Sequence, residues 1–454
     1  MRILVWHGYL LAGTGSNIYT RALVREWARA GHEVVVVCQE PHPEEHDLGG
    51  ARVVRPELPD RVLPVFVLDR YAGLEPKLLQ ETTGEERRRY VDANAAAVRA
   101  ELPADLVFAN HVLLGGPVGA ASGARFAVKA HGSELEYSMR GNAELEAWGS
   151  ETLAYAAAVF VGSEHIRTVL EEVVGTVEHV HEVPPGVDVD QFTLQSREQA
   201  LRALIAEAEA DPPNSGNAHE RLPDEGNAER LAAFFADERP TILYFGKLLL
   251  NKGVHVLLEA VRDLDARVLI VGFGDYREEL ERLSAGRATF TGPLEHRHLV
   301  HLIPLAEVTV VPSIFPEAFG MVAAEAAAGG SLPLVARHSG LAEVAAGLEQ
   351  EYPEEHRDLA SFATGDAADL ERKLRALLSL PEAERELLRR AARKAAVERW
   401  SWAGVAERLL APFEPESVAT GGPERLGSNS SSNSSTFCSG NVASKLFVGS
   451  TRAC

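Results

Sequence analysis

The chain is predicted to be α/β, with two Rossmann-like, doubly wound parallel-sheet domains facing each other across a cleft. Three observations predict this. Short apolar runs alternate with helical periodicity in two series, Pro184-Pro185-Gly186 separates the series, and 454 residues suffice for two cores at roughly 100 to 200 residues each.

In order, residues 2–6 read as a buried strand, 17–30 as a helix stopped by Gly31 and 33–38 as a second strand, making a βαβ unit. Apolar runs at 106–109, 126–130 and 158–162 alternate with helical patterns at 85–100, 143–156 and 164–172, completing a first domain at 1–188. The second is placed at 189–398 and begins with a charged helical insertion at about 196–236, broken by the turn residues 211–217. Strands follow at 241–245, 267–272, 307–312 and 332–336, with helices near 253–264, 276–284, 296–305 and 317–328. A helical stretch from 381 to 411 breaks at Trp400-Ser401-Trp402, and 399–413 is expected to return to the first domain. Beyond that the periodicity stops, and residues 428–435 are all Ser and Asn, so 414–454 is expected to be a disordered tail.

Composition narrows the partners. A formal charge of −21 repels nucleic acid and anionic lipid surfaces, leaving small substrates or neutral acceptors. Three cysteines, two of them in the tail, build no disulfide framework, and His7 interrupts the first apolar run before a leader or a membrane span could develop. A cytoplasmic location is expected.

The densest chemical signal runs from Pro312 through Glu317, Phe319, Gly320, Met321 and Glu325 to Gly330, and reads as strand, loop, helix and stop. Open α/β sheets bind ligands at the carboxyl ends of strands. The free amides of Phe319, Gly320 and Met321 would offer a diphosphate the positive end of the helix dipole. On a continuous helix Glu317 and Glu325 would lie about 12 Å apart along the axis and be rotated by roughly 80°. They would thus grip opposite ends of one long ligand such as a nucleotide sugar, and the spacing disfavours the paired acids of a glycosidase, which need about 5 to 9.5 Å. Two solvated helix glutamates would read the same way.

Gly246, Lys247 and Lys252 follow the first strand of the second domain, where ammonium groups could neutralise a leaving diphosphate; two surface lysines are the plainer alternative. Gly13 and Gly15 lie in a loop that a diphosphate or an acceptor could approach, and a plain flexible loop reads equally well. With Ile18 where a dinucleotide fingerprint wants a third glycine or alanine, a nicotinamide cofactor is not expected. His131 follows a buried strand and points into the same cleft, suited to sugar hydroxyls or to positive charge at an anomeric carbon; a satisfied structural histidine is the plainer alternative. Two metal motifs are set aside: Asp188-Val189-Asp190 sits just beyond a turn in an interdomain crossover, and His296, His298 and His301 read as the polar face of an amphipathic helix. No cofactor and no metal are expected.

With these residues in view, residues 1 to about 411 resemble the family-4, or group 1, retaining glycosyltransferases of the GT-B architecture. The resemblance is carried by Gly13-Thr14-Gly15, His131-Gly132-Ser133, Pro184-Pro185-Gly186-Val187-Asp188, Gly246-Lys247 with Lys252-Gly253, and Pro316-Glu317-Ala318-Phe319-Gly320 through Glu325. It implies that Glu317 contacts the transferred sugar, Glu325 the ribose and Lys252 the diphosphate, that His131 lines the sugar site, and that transfer retains configuration without a metal. Lys247 departs from the family's usual arginine and lacks its bidentate reach. The expected reaction moves a hexosyl group from a nucleotide-diphosphate sugar to the hydroxyl of a small-molecule, glycan or lipid-linked acceptor. A nucleotide-sugar epimerase, a phosphorylase or a silent nucleotide-sugar sensor would share the fold.

Overall fold

The structure, a computed structural model, describes residues 1–67, 71, 73–212 and 222–414. The central part of the expected insertion break and nearly all of the expected tail lie outside them.

The first lobe is a seven-stranded parallel sheet. Its strands are β1 (Arg2–Trp6), β2 (Glu33–Val37), β3 (Arg52–Val54), β6 (Leu106–Asn110), β7 (Phe126–Lys129), β8 (Ala158–Val161) and β9 (Val180–Glu182), in the order β3-β2-β1-β6-β7-β8-β9. A separate parallel pair, β4 (Val62–Val65) and β5 (Glu75–Leu78), lies between β3 and β6 in the chain. The second lobe is a six-stranded sheet of β10 (Thr241–Phe245), β11 (Arg267–Val271), β12 (Ala288–Phe290), β13 (Val308–Val311), β14 (Leu332–Ala336) and β15 (Ser361–Phe362), ordered β12-β11-β10-β13-β14-β15. Every ladder is parallel, and the strand order reverses direction beside β1 and beside β10. Central strands such as Ile3-Leu4-Val5 and Val268-Leu269-Ile270 are buried on both faces, which is why they read as unbroken apolar runs.

Helix Glu382–Trp400 ends at Ser401, whose side chain caps the next helix, Trp402–Leu410, by accepting from the Gly404 amide. That last helix packs on the first lobe: Trp27 Nε1 donates to the Ala406 carbonyl at 2.9 Å, and the rings of Trp402 and Tyr19 meet edge-on at 5.4 Å. The other interlobe crossing lies beside it, with the Val187 amide donating to the Trp400 carbonyl at 2.6 Å and Val187 pairing with Ser401. No described helix is long and apolar enough to cross a membrane.

Three helices fall where no helical pattern is read in the sequence: Gly115–Ser122, Ser339–Glu351 and Ala367–Ser379. The expected amphipathic helix with a histidine polar face is corrected. His298 is fully buried, its Nδ1 accepts from the Glu295 amide as half of a capping box, and its Nε2 lies 3.1 Å from Asp211. Backbone demand at the helix start, not solvent, places that ring inward.

Candidate active site

The carboxyl edges of the two sheets face each other. Helix Glu164–Val174, which follows β8, meets helix Ser339–Glu351, which follows β14, and the His165 amide donates to Glu343 at 3.4 Å. Loops leaving β1, β6, β7, β10 and β13 therefore open on one cleft.

On the second lobe, Gly253 (φ 69°) ends the turn Leu250–Lys252 against the end of β13. A Cβ there would lie 1.9 Å from the Pro312 carbonyl oxygen, so only glycine permits this approach. The Ile314 amide donates to the Asn251 carbonyl at 3.0 Å and ties the two loops together. This docking brings Lys252 Nζ to 2.5 Å from Glu317 Oε1, with both side chains partly exposed. From the other side the Ser339 hydroxyl accepts from the Glu317 amide at 2.9 Å, and the Gly340 amide donates to the Glu317 carbonyl at 3.0 Å. His338 Nε2 donates to the Ser313 carbonyl at 2.8 Å, which leaves His338 Nδ1 to accept from Ser339 at 3.0 Å. Ser339 holds a φ of 45°, a strained left-handed conformation at a loop that clamps the candidate catalytic residue.

Helix Met321–Gly329 begins four residues beyond Glu317, with Gly320 (φ 129°) as its N-cap and no side chain capping it. Glu317 is thus a loop residue, and the separation expected from a continuous helix does not apply. Among the described residues no acceptor takes the amides of Phe319, Gly320, Met321 or Val322. The Phe319 ring packs edge-on against Trp400, so its amide alone is available to a ligand. The alanines bury this helix tightly, and Glu325 is its one ionisable side chain. Burial pushes the Glu325 carboxyl up to about 8. Lys247 is exposed on the neighbouring loop, where its carbonyl accepts from the Tyr244 hydroxyl at 2.7 Å.

The first lobe contributes His131. Glu134, fully buried, accepts from the His131 amide at 2.9 Å through Oε1, and its Oε2 lies 3.2 Å from His111 Nδ1. Burial alone would raise the Glu134 carboxyl, but His111 and these amides hold it below the usual carboxylate range. Burial, with His111 and Lys129 nearby, drives His131 well below the ordinary imidazole value, so the ring is neutral. Lys129, buried and donating to the Val183 carbonyl at 3.0 Å, is lowered to about 7 by burial against the pull of Glu134 and Glu182. Gly13 and Gly15 are exposed, with open space around both, and the helix begins at Gly15. Asp188 is occupied by Arg25 at 2.8 Å, and among the described residues no group of His, Cys, Asp and Glu could hold a metal ion.

The structure therefore brings together Lys252, Glu317 and the helix start carrying Phe319, Gly320, Met321 and Glu325, while His131, Gly13 and Gly15 stand on the opposite lobe. The sequence reading did not single out His338, Ser339 or His111, and it gave Glu134 no role. The strand-end rule that singled out His131 applies equally after 106–110 and after 332–336, and would have found His111, His338 and Ser339, whereas Glu134 stands three positions beyond His131 and carries no such signal.

Glu343 carries a pH dependence of its own. Burial and the Glu182 carboxylate of the first lobe push it up to about 7. A carboxyl raised in the folded state contributes stability that is complete below about 4.5 and is lost as pH rises through about 7. The melting temperature of Glu343→Gln is therefore expected to fall less than that of the wild type between pH 5 and 8; parallel curves would refute the assignment.

Comparison with known proteins agrees with the architecture. A glycosyl transferase 4-like domain matches residues 14–186, and the glycosyl transferases group 1 family matches residues 227–395. The chain is 32% identical over 228 residues to sulfoquinovosyl transferase SQD2 of Arabidopsis thaliana, covering 49% of this chain and 38% of that one. It is 31% identical over 209 residues to a D-inositol 3-phosphate glycosyltransferase of Xylanimonas cellulosilytica, covering 43% and 44%. These matches span less than half the length of either relative. Among solved structures, sucrose-phosphate synthase of Thermosynechococcus elongatus superposes with a TM-score of 0.62 at 21% identity, over 91% of this chain and 98% of that one. HepE of Anabaena, solved with UDP and glucose, does so at 0.61 and 15%, over 90% and 98%. With one family match on each lobe and the two-sheet fold shared along nearly the whole of both solved neighbours, the chain belongs to the group 1, family-4-like glycosyltransferases of GT-B architecture.

Proposed function

We propose that the chain transfers a hexosyl group from a nucleotide-diphosphate sugar to an acceptor hydroxyl, with retention of configuration and without a metal. One observation carries this reading: Lys252 and Glu317 are paired at the mouth of an uncapped helix whose only other ionisable group is Glu325. A diphosphate on the free amides would draw Lys252 from Glu317 and leave the carboxylate to a sugar hydroxyl. Glu325 would accept from the ribose hydroxyls. Lys252, Lys247 and the helix dipole would stabilise charge on the departing nucleotide, while closure over the cleft excludes water. His131 would meet the sugar from the other lobe, and Gly13 and Gly15 leave the opposite wall open to the acceptor.

Incubation with a nucleotide sugar and its acceptor is expected to give a product with the donor's anomeric configuration, read from the anomeric proton coupling, at a rate unchanged by a divalent chelator. Loss of activity restored by added divalent ion would remove the metal-free reading. An isomerised donor formed without any acceptor would show an epimerase instead.

A further inference from the structure

The two ring nitrogens of His131 are not equivalent. Nε2 lies 2.7 Å from Asn110 Oδ1, at the end of β6. Asn110 is fully buried, and its Nδ2 lies 3.3 Å from the Trp6 carbonyl oxygen, at the end of β1. A carbonyl oxygen only accepts, so the amide must turn its NH2 to Trp6 and its oxygen to the imidazole. The imidazole then has to donate from Nε2, and in the neutral ring Nδ1 carries no proton. The ring is also fixed in place: Glu134 holds its main chain, and the rings of His111 and Tyr19 lie 4.7 and 5.1 Å from it between ring centres, Tyr19 nearly perpendicular to it.

We propose that Asn110 is a positioning residue for transfer: by imposing the Nε2–H tautomer it makes His131 Nδ1 an acceptor for a hydroxyl of the transferred sugar. This rests on the reading of His131 as part of the sugar site. The other tautomer would turn an N–H donor to that hydroxyl. A protonated ring would place positive charge beside an anomeric carbon that is itself becoming positive as the leaving group departs.

The titratable groups facing the ring are His7 beyond β1, His111 beyond β6, Lys129 and Glu134 on either side of it in the chain, and Tyr19 from helix Gly15–Arg29. Neither test substitution alters them. Asn110→Asp keeps an acceptor at Nε2 but adds a charge that favours the doubly protonated ring, so the acid limb of kcat/KM is expected to move to higher pH than in the wild type. Asn110→Leu removes the acceptor, and kcat is expected to fall about tenfold, the scale of one misdirected hydrogen bond, with the donor KM little changed. The 15N shifts of His131 should show a single Nε2–H tautomer in the wild type and a mixture in Asn110→Leu. A wild-type ring protonated on Nδ1, or an Asn110→Asp pH profile superimposed on that of the wild type, overturns the proposal, and the first of these is read without any variant. Full activity in His131→Ala would instead sink the sugar-site reading on which it rests.

Discussion

Glu317→Ala is expected to lower kcat by roughly 10²- to 10³-fold, the range seen when one preorganised polar contact to a transition state is removed. Nucleotide affinity should stay within a few fold, because the helix amides, Lys252 and Glu325 all remain. The loss would not come from unfolding. The Lys252–Glu317 pair is partly exposed on both sides, and such pairs contribute about 1 kcal/mol or less. Without its partner Lys252 is free to meet the diphosphate, so affinity for the nucleoside diphosphate product could even rise. The measurement is steady-state transfer beside calorimetric titration of the nucleoside diphosphate, and unchanged turnover would remove Glu317 from the reaction.

Glu325→Gln is expected to separate binding from stability. In the empty protein the raised Glu325 favours folding fully below about 4.5, and that contribution is lost as pH climbs through about 8. The glutamine variant should therefore melt several degrees above the wild type at pH 8 and show no difference near pH 4.5. Donor affinity should fall roughly 10- to 100-fold, since a charged acceptor for the ribose hydroxyls is replaced by a neutral one. If the carboxylate is the form that binds, donor binding at pH 7 releases a proton and tightens as pH approaches 8. Calorimetry in buffers of different ionisation enthalpy reads that proton directly. A buffer-independent enthalpy, with equal melting curves for both proteins, would leave Glu325 without either role.

Much of this was legible from residue order. The strands buried on both faces, β1, β2, β6, β7, β8, β10, β11, β13 and β14, stand out because central parallel strands need apolar residues at every position. The strands β3, β9, β12 and β15 were not legible, being two or three residues long and carrying Arg, His, Glu, Thr or Ser. Helix Gly115–Ser122 opens Gly-Gly-Pro, poor helix formers that pack where the ends of β1 and β6, strand β7 and Thr152 of helix Ala143–Leu153 leave little room for larger side chains. At the candidate site the sequence singles out Glu317, Glu325, Lys252 and His131, but not the contacts that couple them to their neighbours. That Glu317 lies in a loop, that Ser339 grips its amide and that Asn110 orients His131 depend on contacts between residues 21 or more positions apart. His298 shows the reverse error: a histidine triplet looks hydrophilic in one dimension, whereas a helix start can claim one of its rings for the backbone.

The clasp of Val187 on Trp400 and Ser401 bears on how turnover is paced. With the outgoing and returning chain segments paired there, a hinge motion of the lobes is expected to run about that pairing, as a book opens about its spine. In the proposed reaction, an opening that sheds nucleotide would retrace that arc, and the following closure would bring the first lobe's imidazole back to the second lobe's side of the cleft.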